Sequence, residues 1–178
     1  PEKLREQITL ASQNPHLGLI YSDMWLIDAS GEVTGKGSDR FRMHRGQVWQ
    51  ALLSSRNFIP CPAALMKRQA VFEVNGFDLN LRYCEEFDLF LKIAKLYEVD
   101  FVQEPLVKYR IHSGNLTGFG NRQTTKEYIS VLRREITKSR QEIYSRKRNM
   151  RALLQTQLRL SLLQARLAQQ TLFAHLRK

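Results

Sequence analysis

The chain has 178 residues, of which 43% are hydrophobic and 10% aromatic, so it can bury a core and is not wholly disordered. No apolar run reaches the roughly 18–20 residues that a membrane-spanning helix needs, and two cysteines are too few for a disulfide framework. The chain begins at Pro1 and shows no secretory leader, so we expect a cytosolic fragment or processed piece of a longer protein.

The charge of the chain is unevenly distributed. Residues 1–120 hold 14 basic and 14 acidic side chains, whereas residues 121–178 hold 14 basic and 3 acidic ones, which accounts for the net charge of +11. All nine glycines and all five prolines also lie at or before Gly120. We therefore predict a neutral globular region over 1–120 and a basic, amphipathic helical tail over 121–178.

The first region alternates predicted helices and strands. In chain order we expect a helix over 3–13, strands over 17–21 and 24–28, a helix over 45–54, a strand over 63–67, a short helix over 69–74, a helix over 85–97, and strands over 99–103 and 106–109. The 85–97 helix has the strongest signal, because Phe87, Phe90, Leu91 and Ala94 form one apolar stripe. The alternation of strands and helices indicates an α/β layer structure.

The tail opens with Thr124-Thr125-Lys126-Glu127, which is typical of a capping box at a helix N-terminus. Neither Gly nor Pro follows, and apolar residues continue at heptad spacing from Ile129. The pattern predicts one or two long amphipathic helices that start near Thr124.

A few polar residues stand where chemistry is possible. Glu85 and Glu86 begin the predicted 85–97 helix; acids there commonly complement the helix dipole, but a carboxylate can also accept a proton from a hydroxyl. His112 follows a predicted strand end, where α/β folds often place ligands, although a solvated loop histidine is the commoner case. By itself, NGFD at 75–78 indicates only a helix C-cap and a turn.

Taken in order, three segments resemble the second half of a family 2 glycosyltransferase with the GT-A fold. They are NGFD at 75–78, CEEFDLFLKIA at 84–94 and EPLVKYRIH at 104–112. The opening stretches, PEKLREQ at 1–7 and LGLIYSD at 17–23, are similar to the part of the family that follows its Asp-X-Asp metal motif. The resemblance covers residues 1 to about 118. It implies an α/β fold: a partial GT-A domain that lacks its N-terminal nucleotide-binding half, followed by long α-helices.

The resemblance also implies roles for individual residues. Glu86 takes the position of the catalytic base, with Glu85 beside it; Gly76, Asp78 and Arg110 would contact substrate, and His112 would help to hold a divalent metal ion. Two positions differ from the family pattern: its Glu-Asp pair is Glu-Glu here, and Asn75 replaces the first glycine of the loop.

The expected ion is Mg²⁺ or Mn²⁺, with most of its ligands upstream of Pro1, so this stretch alone is expected to be inactive. The parent enzyme would transfer a sugar, with inversion, from a nucleotide-sugar donor to a saccharide or lipid-linked acceptor. The expected setting is bacterial cell-envelope polysaccharide or glycolipid synthesis in the cytoplasm.

The basic tail leaves an alternative open: a non-enzymatic helical module that binds nucleic acid or an anionic membrane surface. Nucleic acid is disfavoured, because the tail has only three aromatic side chains for stacking, Tyr128, Tyr144 and Phe173. Peripheral docking at the inner face of the cell membrane and self-association are favoured equally.

Overall fold

The computed structural model describes residues 2–55, 57–115, 122–146 and 150–176, and its side chains within the last two helices up to Ser139 and from Leu154 to Ala168. The elements are α1 (Glu2–Gln13), β1 (Leu17–Ile27), β2 (Val33–Lys36), α2 (Trp49–Ser54), β3 (Leu65–Met66), α3 (Arg68–Glu73), α4 (Glu85–Leu96), β4 (Glu98–Arg110), α5 (Arg122–Arg146) and α6 (Met150–Leu176). Two short 3₁₀ turns, Gly37–Asp39 and Cys61–Ala63, lie between them. The predicted mixed α/β fold is confirmed.

β1 is the central strand of the sheet. It pairs in parallel with β4 along its whole length, and on its other side with β3 near its start and β2 near its end, both antiparallel. A crossover of this parallel kind requires an intervening helix, and α4 leads into β4 through the single residue Tyr97.

Each of the two long strands was wrongly predicted as a pair of shorter strands. Residues 17–21 and 24–28 were predicted as two strands but form β1, and 99–103 and 106–109 form β4. The pairing steps from Ser22–Val102 to Asp23–Pro105, so the extra β4 residues form an irregularity in the ladder. Pro105 therefore sits at this irregularity, which accommodates its missing N–H without ending the strand.

Two further boundaries differ from the prediction. The helix predicted over 45–54 begins only at Trp49, because Gly46 pairs with Val99 of β4 in an antiparallel bridge. The strand predicted over 63–67 is reduced to β3, since residues 61–63 form a 3₁₀ turn.

The main core packs α4 against the sheet. The apolar stripe predicted for α4 is confirmed, with Phe87, Phe90, Leu91 and Ala94 at most 1% exposed. Gly18 of β1 permits this approach: a Cβ at that position would lie 2.4 Å from the Cβ of Tyr97, at the end of α4. No residue with a side chain fits there without displacing the helix.

The tail forms two long helices, as predicted, and its first helix contributes to the same core. Val131 and Leu132 of α5 are 1% and 0% exposed and join the hydrophobic cluster that contains α4. In α6, Arg159 donates from one Nη1 to the carbonyls of Leu52 and Leu53 at the end of α2, both at 2.8 Å. Other apolar residues expected on the tail helices lie outside the described side chains, namely the heptad positions Ile143, Met150 and Leu153 and the later Leu172 and Leu176.

Candidate active site

The first turn of α4 carries three acidic residues, Glu85, Glu86 and Asp88. The residue before the helix, Cys84, makes no side-chain cap. The cap comes instead from Glu127 of α5, whose Oε2 accepts the backbone N–H groups of Arg82 at 3.1 Å, Tyr83 at 2.7 Å and Cys84 at 3.2 Å. These donors precede the helix and have no carbonyl partner within it, so a buried carboxylate satisfies them.

The role of Glu127 corrects one prediction. Its position three residues after Thr124 predicted that it caps its own helix, but α5 already begins at Arg122 and the carboxylate is bound to the α4 N-terminus. A contact between residues more than forty positions apart leaves no local pattern in the sequence.

Glu86 is partly buried, and its pKa is raised above the ordinary value, chiefly by burial and further by the nearby charges of Glu85 and Glu127. The thiol of Cys61 faces the same two helix carboxylates, and its pKa is raised by burial and then by Glu86 and Glu85. A carboxylate with a raised pKa is a stronger proton acceptor once ionised, which suits a general base.

Asp88 stands apart from its neighbours in the first turn. Its side chain is 0% exposed and forms ion pairs with Lys92, at 2.8 Å, and with Arg134 of α5. A fully buried carboxylate that is paired with two cations is not accessible to a substrate hydroxyl. Asp88 is therefore structural.

The NGFD loop lies beside the same helix. Asn75 and Gly76 both have left-handed backbones, with φ of 59° and 64°, so Asn75 takes the geometry for which the family uses glycine. The Gly76 carbonyl accepts a hydrogen bond from Lys92 at 3.4 Å, and Asp78 pairs with Arg134 at 2.8 Å. Hydrogen bonds from Asn80 and then from Arg134 hold the pKa of Asp78 below its usual value. Substrate contact by Gly76 and Asp78 stays a prediction.

Arg110 is the last residue of β4, and His112 follows two residues later. Arg110 donates from Nη1 to the carbonyls of Asp28 at 2.9 Å and Ala29 at 2.8 Å, which ties it to the turn after β1. His112 is exposed, and its Nδ1 accepts the Gly114 N–H at 3.1 Å. Because Nδ1 is the acceptor, the neutral imidazole carries its proton on Nε2, which can donate a hydrogen bond.

Topology relates the two groups of predicted residues. Because α4 enters β4 through one residue, the helix runs back along the strand, and its N-terminus lies toward the carboxyl end of β4. The N-terminus of α4, with Glu86, therefore points in the direction in which His112 lies. Twelve helical residues span about 18 Å, which is less than half the length of a 13-residue strand, so His112 lies beyond the level of Glu86 along β4.

The described part of the chain does not by itself fit a divalent metal ion. Across residues 2–55, 57–115, 122–146 and 150–176, no three His, Cys, Asp or Glu side chains converge on one point. His112 could ligate an ion through Nε2 only in the other tautomer, and Mg²⁺ is held mainly by oxygen ligands in octahedral geometry.

No described helix is both long enough and apolar enough to cross a membrane. No curated protein matches the chain. A family model described as glycosyltransferase like family 2 matches residues 2–158, which include the whole of the first region, α5 and the start of α6. The chain therefore belongs to glycosyltransferase family 2 and carries a glycosyl-transferring domain.

Proposed function

We propose that the protein transfers a glycosyl group from a nucleotide-sugar donor to an acceptor hydroxyl with inversion, and that Glu86 is the general base. The observation that carries the proposal is the position of Glu86. It is a partly buried carboxylate of raised pKa in the first turn of α4, while its neighbour Asp88 is closed off by cations.

In the proposed reaction the Glu86 carboxylate takes the proton of the acceptor hydroxyl. The acceptor oxygen forms a bond to the anomeric carbon on the face opposite the leaving group. The bond from that carbon to the diphosphate oxygen breaks, and the oxygen leaves with the electron pair. One displacement of this kind inverts the anomeric configuration, and its transition state has oxocarbenium character.

The test is Glu86→Gln in the intact protein, assayed with a panel of UDP-, GDP- and dTDP-sugars. The amide keeps the shape of the side chain but cannot take the proton, so turnover should fall about 10²–10⁴-fold. Donor binding, measured by calorimetry, should change little. Glu6→Gln is the matched control, because the side chain of Glu6 in α1 is 43% exposed and forms a surface ion pair with Arg5.

Full turnover by Glu86→Gln would exclude the assignment of the base. Absence of transfer by the wild-type protein with every donor would contradict the activity. The anomeric coupling constant of the product, measured by NMR, decides between inversion and retention.

A divalent ion, which the family resemblance implies, remains a proposal, and His112 is the residue through which this chain would contact it. Transfer should then be lost in EDTA and restored by Mg²⁺ or Mn²⁺. A setting in cell-envelope polysaccharide or glycolipid synthesis is likewise a proposal, supported by the family and by the tail.

We also propose that the tail docks on the anionic inner face of the cell membrane. Leu154, Leu158 and Leu162, one turn apart on α6, are 58–64% exposed, and α6 contains no Asp or Glu. Exposed leucines on a helix whose formal charges are all positive match an anionic lipid surface better than a second, equally basic copy.

Sedimentation with vesicles tests the docking. Vesicles of phosphatidylcholine with a quarter phosphatidylglycerol should retain the protein at low salt, and pure phosphatidylcholine should retain much less. Leu158→Ser should weaken the retention. If the protein binds to neither type of vesicle but light scattering shows a dimer formed through this helix, the docking proposal is overturned in favour of self-association.

A further inference from the structure

Glu127 comes from the tail, yet it is built into the end of α4 that carries Glu86. Its side chain is only 9% exposed, and a single oxygen accepts three consecutive backbone N–H groups, those of residues 82–84. Glu85 and Glu86 follow these residues directly. The direction of the first turn of α4 therefore depends on where Glu127 is held.

α5 fixes the position of Glu127 in turn. One residue further along, Tyr128 stacks on Phe87 of α4 with ring centroids 4.4 Å apart. Arg134, two turns later on α5, binds Asp88 of α4. These contacts at residues 128 and 134 leave the Glu127 carboxylate little freedom to follow a change in α4, so α5 acts as a template for the α4 N-terminus.

The cap also places a negative charge near the proposed base. The other titratable groups around Glu86 are Glu85 on its own helix, Cys84 before the helix, Cys61 in the 61–63 turn and Tyr128 of α5. From α6, Arg159 places its guanidinium over the rings of Phe87 and Tyr128. Like charge from Glu85 and Glu127 raises the pKa of Glu86, in addition to the larger effect of burial.

We propose that Glu127 is a positioning residue of the transfer reaction, which orients the first turn of α4 and places a negative charge near Glu86. The proposal rests on the assignment of Glu86 as the base. It gives the basic tail a part in catalysis, in addition to any docking role.

The decisive variant is Glu127→Gln in the intact protein. The amide oxygen can still accept the three N–H groups, so the variant removes the charge and keeps the cap. The acidic limb of kcat/KM should move to lower pH by roughly 0.5–1 unit, as expected for removing one charge several ångströms away. The ¹³C carboxyl shift of Glu86, titrated by NMR without substrate, should report the same displacement.

Glu127→Asp is the second variant, and it tests the length of the side chain separately from its charge. It retains the charge but is one methylene shorter, so it cannot hold all three N–H groups at their present distances. We expect the pH limb to stay near that of the wild type while kcat falls at least several-fold. Glu135→Gln is the matched control, since Glu135 is a buried acid of α5 whose ion pair is with Lys138.

The outcomes separate the two proposals. Suppose that Glu127→Gln shifts neither the acidic limb of kcat/KM nor the NMR titration of Glu86, while Glu86→Gln is inactive. This result would overturn the role of Glu127 and leave Glu86 as the base. A fully active Glu86→Gln would overturn the base itself. An equal shift in Glu135→Gln would show a general effect of α5 charge and would also overturn the specific role.

Discussion

Arg134 is the cation whose removal should most destabilise the protein. Its guanidinium joins α5 to Asp78 in the NGFD loop and to Asp88 in α4. Substitution by methionine, Arg134→Met, keeps most of the aliphatic length and removes both ion pairs. The two pairs differ in environment: Asp88 is 0% exposed, whereas the side chain of Asp78 is 20% exposed.

The magnitude of the loss follows from the burial of each partner. Removing one member of a buried pair usually costs about 3–5 kcal/mol, because the remaining charge stays in a medium that solvates it poorly. Asp88 keeps its 2.8 Å pair with Lys92, which places the expected loss at the lower end, about 3 kcal/mol. The more exposed pair with Asp78 adds under about 1 kcal/mol.

Urea unfolding followed by circular dichroism measures this loss, and Arg133→Met is the control. Arg133 neighbours Arg134 on α5 but is exposed, so its substitution should change the free energy of unfolding by less than about 0.5 kcal/mol. In thermal unfolding, Arg134→Met should lower Tm by roughly 6–12 °C. Equal stability of the two variants would refute the view that α5 is joined to α4 through a buried ion pair.

Three other predictions concern packing and pH. Leu132→Ala should lower the free energy of unfolding in urea by about 2–5 kcal/mol, because Leu132 is 0% exposed. Leu158→Ala should lower it by less than about 0.5 kcal/mol, because Leu158 is 64% exposed. Similar losses in the two variants would contradict a core shared by α5 and α4. Gly18→Ala should cost at least about 1–3 kcal/mol, since the new methyl group overlaps Tyr97, and a neutral effect would show that the helix can shift. In wild-type protein, the acidic limb of kcat/KM should lie above pH 4.5, because the base must be ionised and burial raises the pKa of Glu86; a limb below that value would contradict the assignment.

Local patterns predicted the parts of the fold that depend on local structure. The helix at Glu85 follows from its apolar spacing, and the left-handed turn at Asn75-Gly76 follows from residue type. The absence of Gly and Pro after residue 120 predicted the two long helices. Each of these signals depends on residue types within one continuous segment, so no distant contact is needed to interpret it.

The errors arose where distant segments meet. Pro105 marks a strand end in isolation, but pairing with β1 across an irregular ladder carries β4 through it. Thr124 and Glu127 have capping-box spacing, but the Glu127 carboxylate instead accepts three N–H groups at the α4 N-terminus. The candidate residues were found through the family motifs, whereas Glu127 and Arg134, which hold those motifs in place, lie outside them.

The net charge of the tail, counted from the sequence, also does not show which charged residues are exposed. By residue count, the tail over 121–178 is basic, and three acidic residues offset a small part of its positive charge. Two of those acids, Glu127 and Glu135, are at most 9% exposed, and Glu127 is occupied at the α4 N-terminus. Because these two carboxylates are turned into the protein, the exposed side chains of the described tail are richer in basic groups than the count suggests. In the roles proposed above, burial separates two functions: Glu127 helps to shape the site around Glu86, while the exposed basic residues stay available to an anionic surface.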